Sequence, residues 1–177
     1  ALGAKTERRK AVRGAGADIV IGTIEGTGRA KLMLMAHMDT VYERGILATQ
    51  AYRVDGERIY GPGIADDKGG IAVVLHALKI LNDGGWRDYA RLTVLFNPDE
   101  EVGSIGSGEL ISEIADQHDF VLSCEPTVAA PAAKHDALLL GASGIAIGRM
   151  EVKGRASHAG DITIPNLSGS AYRRLRR

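Results

Sequence analysis

Short apolar runs alternate with segments of helical periodicity along the middle of this chain, and this alternation limits its fold more than any other feature. The run Leu32-Met33-Leu34-Met35 is apolar on both faces, as expected of a strand inside a sheet. Apolar residues then recur at helical spacing over 67–81, and a second apolar run occupies 92–96. A second helical segment, 107–115, and a third short run, 120–122, follow. The order strand, helix, strand, helix, strand predicts an α/β fold with a mostly parallel sheet and crossover helices.

The segments that flank this central pattern predict further elements. Residues 19–25, the turn Gly26-Thr27-Gly28 and residues 31–36 have the pattern of a β-hairpin whose second arm is a central strand. After Pro126 the character of the chain changes, and residues 145–152 alternate as a half-exposed strand does. We therefore predict a first domain over 1–142, the first strand of a smaller α+β domain over 143–160, and an atypical tail over 161–177.

Composition excludes several classes of function. Lys and Arg together number 22, as do Asp and Glu, so the balance of charge favours neither nucleic acid nor a membrane surface as a partner. No segment approaches the roughly 20 apolar residues of a membrane-spanning helix. The single cysteine, Cys124, has no partner for an internal disulfide. Because the chain begins with Ala1 rather than Met, we expect its natural N-terminus to be missing, and both a cytoplasmic and a periplasmic location remain open.

A set of polar residues follows the predicted strands at their carboxyl ends or lies in the glycine-rich loop before the first helix. The set comprises His37, Asp39, Asp66, Glu100, Glu101 and Glu125. Ligand sites of open parallel sheets form at this edge, so residues that are distant in sequence can converge there. One imidazole and several carboxylates, without a thiolate cluster, suit zinc first and cobalt or manganese next.

The residue types also suggest separate roles. Asp66 is suited to bridge two cations, with His37, Glu101 and Glu125 completing the ligand sets. In an extended segment, residues two apart point the same way, so Asp39 can stand behind His37 and fix its tautomer. Neighbouring side chains at a strand end diverge, so Glu100 and Glu101 are not expected to bind the same ion. Glu101 is predicted to be the ligand. Glu100 is predicted to accept the proton of an attacking water molecule, in an amide hydrolysis without a covalent intermediate.

Each pattern also has an ordinary explanation. A His-x-Asp sequence after a strand is more often a hydrogen-bonded loop pair. Asp66 and Asp67 before a helix can serve as N-caps, and Glu100 with Glu101 can form a solvated first turn. Glu125 can be an ordinary loop acid. The metal site is favoured because all these residues are predicted at one edge of one sheet.

Several ordered motifs resemble the two-zinc metallopeptidases that include glutamate carboxypeptidase, acetylornithine deacetylase and the aminoacylases. The resemblance runs from about residue 17 to residue 160. It rests on His37-Met38-Asp39-Thr40-Val41-Tyr42, GPGIADDKGG at 61–70, FNPDEE at 96–101, Cys124-Glu125-Pro126 and Ser157-His158-Ala159-Gly160. The sequences around His37 and Asp66, with Gly141-Ala142-Ser143-Gly144, are most similar to the glutamate carboxypeptidase branch, which releases C-terminal glutamate from folate-like and N-acyl substrates.

The resemblance implies a partial zinc-peptidase catalytic domain over 1–142, the start of a dimerisation domain over 143–160, and two zinc ions in the complete enzyme. It implies that His37, Asp66 and Glu125 bind one zinc ion, that Asp66 and Glu101 bind the other, and that Glu100 is the base. It further implies a cis peptide between Asp66 and Asp67. The complete protein is expected to be a homodimer in which His158 helps to bind the substrate carbonyl or carboxylate in the partner's site.

The chain departs from this family in its last part. The family supplies a further histidine to the second zinc from a C-terminal segment, and nothing after His158 matches it. Three functions therefore remain open. The first is part of a zinc carboxypeptidase that acts on small peptides or N-acyl amino acids, with glutamate as the released residue. The second is an N-acyl amino acid deacylase, and the third is an inactive truncated remnant that binds at most one metal ion.

Overall fold

The computed structural model describes residues 2–12, 17–126 and 140. The chain divides into two compact units, Ala1–Ala133 and Lys134–Arg177, and every described residue except Leu140 belongs to the first. The strand predicted at 145–152, the rest of the second domain with His158, and the tail at 161–177 lie outside the described residues. The predicted domain boundaries therefore stay predictions.

The described residues form one main sheet, a small hairpin and two α-helices. The strands are β1 Lys5–Lys10, β2 Asp18–Glu25, β3 Lys31–His37, β4 Arg53–Asp55, β5 Arg58–Tyr60, β6 Arg91–Asn97 and β7 Phe120–Ser123. The helices are α1 Gly70–Asp83 and α2 Gly108–Ala115. Within this part of the chain the main sheet has five strands in the order β1-β2-β6-β3-β7, and β4 pairs with β5. No helix among these residues is long and apolar enough to cross a lipid bilayer.

The predicted α/β class is confirmed, with a mixed sheet. β3 runs parallel to both β6 and β7, which are the strands that the apolar runs predicted. β2 is antiparallel to β6, and β1 is antiparallel to β2. The three strands that end at the predicted site are therefore the parallel ones.

The predicted hairpin of β2 and β3 is wrong, because β6 lies between these two strands. β6 is buried along most of its length and takes the central position, where both of its edges are paired. The turn after β2 instead contacts the segment that leads into β6. The N–H of Gly26 donates to Ala90 O at 3.1 Å, and the N–H of Thr27 donates to Arg87 O at 2.8 Å. A side chain at Gly26 would collide with the Tyr89 carbonyl oxygen, so glycine is required there.

Each face of the sheet is covered by one helix. Val74 and Leu78 of α1 pack on one face, together with Ile24, Leu92 and Val94 of the strands. The other face buries Ile19, Ile21, Met33 and Leu95 against the α2 residues Leu110, Ile111 and Ile114. Each fully buried aliphatic side chain of this kind stabilises the fold by about 1.5–3 kcal/mol. The two apolar faces of β3 and β6 thus have separate partners.

The connections explain why the helices lie on opposite faces. The chain passes from β3 to β6 through α1 in one direction along the sheet, and from β6 back past β3 to β7 through α2 in the other. Right-handed crossovers in opposite directions place their helices on opposite faces. The loops that leave β3 and β6 therefore separate and open a crevice at the carboxyl ends of these neighbouring strands. Ligands of open α/β sheets bind at such a point.

Candidate metal centre

The crevice at the ends of β3, β6 and β7 holds a cluster of one histidine and several carboxylates. Its members within the described residues are His37, Asp39, Asp66, Asp67, Glu100, Glu101 and Glu125. The structure thus brings together every site residue predicted from the sequence except His158, which lies outside the described residues.

His37 is the last residue of β3 and is 1% exposed. Its Nε2 atom lies 2.7 Å from Asp66 Oδ1 and 3.4 Å from Glu125 Oε1. Its Nδ1 atom lies 3.3 Å from Asp39 Oδ1 but forms no hydrogen bond with any described residue. One ring nitrogen therefore faces the candidate ligands, and the other faces Asp39, as the spacing of His37 and Asp39 predicted.

Asp39 also has a second contact, which the sequence did not predict. Its Oδ1 accepts the backbone N–H of Glu100 at 3.1 Å, and its Oδ2 accepts that of Glu101 at 3.0 Å. The side chain thus connects the end of β3 to the turn Glu100–Val102 after β6. Charge-assisted hydrogen bonds of this kind fix a backbone more firmly than neutral ones do. Asp39 therefore positions the two glutamates as well as facing His37.

Asp66 and Asp67 have opposite environments although they are adjacent. The peptide bond between them is cis, as the family resemblance implied. The Asp66 side chain is 54% exposed, whereas Asp67 is fully buried. Asp67 accepts the N–H of His37 through Oδ2 at 3.1 Å and the N–H of Gly70 through Oδ1 at 3.2 Å. Asp67 thus connects the end of β3 to the start of α1, where it accepts the N–H of Gly70, one of the backbone donors that the first turn of a helix leaves free.

Behind the two glutamates lies a buried polar network that the sequence did not predict. Asp99 is fully buried and accepts the N–H of Gly106 through Oδ2 at 2.6 Å and the N–H of Ser107 at 3.1 Å. The hydroxyl of Ser107 donates to the other oxygen of Asp99. The side-chain amide of Asn97, at the end of β6, lies 3.4 Å from the same hydroxyl. The loop 99–107 is therefore closed on itself directly behind Glu100 and Glu101.

Replacing Asp99 by asparagine is expected to destabilise the chain by about 1–3 kcal/mol, because the introduced NH₂ group cannot accept the hydrogen bonds that the lost carboxylate oxygen accepts. The free energy of unfolding from urea titrations would measure the change. Asp116→Asn removes the same charge from an exposed position after α2 and serves as the control, with an expected effect within about 0.5 kcal/mol. Equal stabilities of the Asp99 variant and the original protein would contradict this account of the loop.

Before any cation binds, burial and, to a smaller extent, neighbouring charges shift the pKa values of the cluster. Burial raises the pKa of Glu125 to about 7, against the opposing charge of His37 and with a contribution from neighbouring carboxylates. Burial likewise raises the pKa of Glu100. Burial alone would lower the pKa of His37, but the hydrogen bond to Asp66 and the surrounding carboxylates together raise it. No lysine or arginine within the described ranges forms an ion pair with these acids.

The donor set fits a metal cation. Two groups have ligand atoms within 4.8 Å of one another: His37 with Asp66 and Glu101, and His37 with Asp67 and Glu125. Both oxygens of Asp67 already accept backbone hydrogen bonds, so the exposed carboxylate of Asp66 is the better ligand beside Glu125. A mixed set of histidine and carboxylates that forms no ion pair with any lysine or arginine in the described part of the chain is typical of zinc, cobalt or manganese sites. His37 is common to both groups.

Comparison with known proteins agrees with this geometry. Residues 33–163 match the profile of peptidase family M20/M25/M40. This chain belongs to that family. Carboxypeptidase G2 from Pseudomonas sp. (strain RS-16) is 53% identical to the M20 chain over 159 residues, which cover 90% of the chain and 37% of that relative. Acetylornithine deacetylase from Aliivibrio fischeri (strain MJ11) is 31% identical over 140 residues, which cover 77% of the chain and 34% of that relative.

Solved structures support the same fold for the M20 chain. A tripeptidase from Staphylococcus aureus superposes with a TM-score of 0.59 at 29% identity, covering 72% of the chain and 35% of that structure. The metallo-carboxypeptidase Sso-CP2 from Sulfolobus solfataricus has a TM-score of 0.58 at 24% identity, covering 69% of the chain and 28% of that structure. The M20 chain spans 37% of the length of Carboxypeptidase G2 and 34% of the length of the acetylornithine deacetylase.

Proposed function

We propose that the full-length protein containing this chain is a zinc-dependent hydrolase that cleaves the amide bond next to a C-terminal amino acid, with glutamate as the preferred residue. The observation that carries this proposal is the convergence of His37, Asp66, Glu101 and Glu125 at one edge of the sheet, with Glu100 beside them. The identity with Carboxypeptidase G2 supports the carboxypeptidase assignment. Small peptides and N-acyl amino acids are the corresponding substrates.

His37, Asp66 and Glu125 would hold one zinc ion, and Asp66 with Glu101 would hold the second; cobalt or manganese can occupy the same donors. Bound cations of this kind lower the pKa of water and polarise a carbonyl group. Asp66 is suited to serve both sites, because its carboxylate is exposed and lies against His37 Nε2.

Glu100 is the proposed general base. It takes a proton from the attacking water molecule and delivers it to the leaving nitrogen, so that no covalent intermediate with the protein is required. Asp39 keeps the Glu100 backbone in place through the hydrogen bond to its N–H. We further propose that the full-length protein is a homodimer in which His158 contacts the substrate carbonyl or carboxylate in the partner's site.

A second candidate is an N-acyl amino acid deacylase. The identity with acetylornithine deacetylase supports it, and the proposed ligands and base are compatible with either substrate. The two candidates differ in the amino acid that is released, and therefore in the pocket that binds its side chain.

Zinc content and substrate turnover, measured side by side, test the proposal. We expect the full-length protein to bind two zinc ions per chain and to hydrolyse N-acyl-glutamate faster than N-acetylornithine, whereas the 177-residue chain alone should show little turnover. Faster hydrolysis of N-acetylornithine would favour the deacylase. Absence of zinc binding at micromolar concentration in the full-length protein would refute the metal centre and favour an inactive remnant.

A further inference from the structure

The turn that carries Glu100 and Glu101 is held only partly by its contact with β3. Asp39 accepts the N–H of Glu100 at 3.1 Å and the N–H of Glu101 at 3.0 Å. Both bonds end on one carboxylate and hold neighbouring residues, so they leave rotation of the turn about the line through them free. Such a rotation would move the side chain of Glu100, and a catalytic group must stay within about 0.5 Å of its productive position. A further anchor is therefore needed on another side of the turn.

Asp99, which directly precedes Glu100, provides this anchor. It is fully buried, and its Oδ2 accepts the N–H of Gly106 at 2.6 Å and the N–H of Ser107 at 3.1 Å. Its other carboxylate oxygen accepts the hydroxyl of Ser107. Its backbone carbonyl oxygen accepts the N–H of Ser104 at 2.7 Å. Asp99 is thus joined to both ends of the segment 104–107, on the side of the turn away from Asp39.

The backbone of this loop adopts a conformation that its own residues do not favour. Ser104 is the one non-glycine residue in the described part of the chain with a left-handed backbone, at φ 51°. Gly103 before it has φ 84° and donates its N–H to Glu100 O at 2.7 Å. A left-handed residue with a side chain persists only where surrounding contacts hold it. Here those contacts are the bond from the Ser104 N–H to Asp99 and the Asn97 amide, 3.3 Å from the Ser104 hydroxyl.

The same network is attached to the rigid part of the fold. Asn97 ends β6, and its carbonyl oxygen accepts the N–H of Met38, the residue after β3, at 2.8 Å. Ser107 directly precedes α2, and its hydroxyl lies 3.4 Å from the side-chain amide of Asn97. The carbonyl oxygen of Gly106 accepts the N–H of Val12 at 3.0 Å, beyond the end of β1. The loop can therefore transmit the position of the sheet and of α2 to the turn that carries the glutamates.

We propose that Asp99, held by Ser107, is a positioning residue for the proposed reaction. It keeps the turn from rotating, so that the Glu100 carboxylate meets the attacking water molecule and then the leaving nitrogen. Because Asp99 is fully buried, it does not contact substrate and acts only through Glu100. The inference rests on the proposed function for the role of Glu100. The competing explanation is that the network only stabilises the loop and that Asp39 alone places the base.

Replacing Ser107 by alanine in the zinc-loaded full-length protein tests the proposal. The substitution removes the hydroxyl that Asp99 and Asn97 contact, but keeps the charge of Asp99 and the backbone N–H that it accepts. We expect kcat for N-acetyl-glutamate to fall by about tenfold or more, because a small displacement of a catalytic group is costly. KM should stay within about twofold and zinc content should be unchanged, since Ser107 belongs to neither group of candidate ligands. A kcat within about twofold of the original value would overturn the proposal.

Thr93→Val is the matched control for a loss of stability without a change at the turn. Thr93 is a buried residue of β6 whose hydroxyl lies 2.8 Å from His118 Nε2, away from the loop. Valine has a similar shape and removes one buried hydroxyl contact, so the urea midpoint of unfolding should fall about as much as in Ser107→Ala. Its kcat should nevertheless stay within about twofold. Equal losses of kcat in the two variants would show that lower stability alone is responsible, and would refute the positioning role.

Hydrogen exchange separates failure of this inference from failure of the proposed function. We expect the amides of Glu100 and Glu101 to exchange about tenfold or more faster in Ser107→Ala than in the original protein, and at the original rate in Thr93→Val. Mass spectrometry of peptides that cover 98–105, from the full-length protein without substrate, would measure these rates. If no N-acyl-glutamate is hydrolysed, the proposed function fails, and exchange alone decides whether Asp99 and Ser107 hold the turn. Unchanged exchange of Glu100 and Glu101 in Ser107→Ala overturns the inference even if the protein is an active hydrolase.

Discussion

Replacing Glu100 by glutamine is expected to lower kcat for the hydrolysis of N-acyl-glutamate by about 10²- to 10⁴-fold, the usual contribution of a general base. Glutamine preserves the shape of the side chain and its backbone hydrogen bond to Asp39, but it cannot accept and release a proton at neutral pH. Zinc content should stay unchanged, because Glu100 belongs to neither group of candidate ligands. Steady-state kinetics and metal analysis on the same preparation would measure both quantities.

The matched control for this variant is Glu109→Gln. Glu109 is an exposed glutamate in the first turn of α2 and lies outside the candidate centre, so the substitution should leave turnover and zinc content unaffected. A Glu100→Gln protein that retains more than about a tenth of the original kcat would remove Glu100 from the role of base. Loss of zinc in this variant would instead indicate that Glu100 is a ligand.

Removing the imidazole of His37 should have the largest effect on metal binding. His37 belongs to both groups of candidate ligands, so its loss weakens both. Substitution of residues that only support a ligand typically costs 10- to 100-fold in affinity, and we expect His37→Ala to weaken zinc binding by more than about 100-fold. Competition with a chromophoric chelator would measure the affinity, and circular dichroism would establish that the variant is folded.

His76→Ala provides the comparison, since His76 is an exposed histidine on α1 whose ring contacts the carbonyl oxygen of Ala72 rather than the centre. It should bind zinc as the original protein does. Glu125→Ala tests the same centre from a different strand end and avoids the buried position of His37. Zinc affinity that is unchanged in both His37→Ala and Glu125→Ala would disprove the assignment of these ligands.

The parts of the fold that the sequence predicted are those with strong periodicity. The apolar runs at 92–96 and 120–122 correspond to β6 and β7, and the helical segments at 67–81 and 107–115 correspond to α1 and α2. The β2–β3 hairpin was mispredicted because adjacency in sequence suggests pairing, whereas β6 reaches the same position only after α1 has crossed the sheet. β1 was missed because all of its residues are exposed and mostly charged, as suits an edge strand.

The convergence of the candidate ligands was predictable because the ligands follow strands that the periodicity predicted, and parallel strands bring their carboxyl ends to one edge of the sheet. The roles given to each ligand, to Glu100 as base and to His158 remain predictions. The second contact of Asp39 and the burial of Asp67 and Asp99 were not predicted, because an aspartate in a loop is ordinarily solvated. Asp67 accepts backbone N–H groups from the end of β3 and the start of α1, and Asp99 accepts N–H groups from within its own loop. Such loop conformations leave no periodic signal in the sequence.

The contact between Asp39 and the glutamate turn makes the centre sensitive to strand alignment. His37 is paired with Asn97 in the parallel register of β3 and β6, and Asp39 reaches the backbone of Glu100 and Glu101 only in that alignment. A slip of one residue would move the carboxylate by about 3.3 Å along the strand and turn His37 to the other face of the sheet. Molecules that refold with β3 and β6 in the wrong register would therefore lack a functional centre. The amount of metal bound after refolding would measure the fraction of molecules with the correct register.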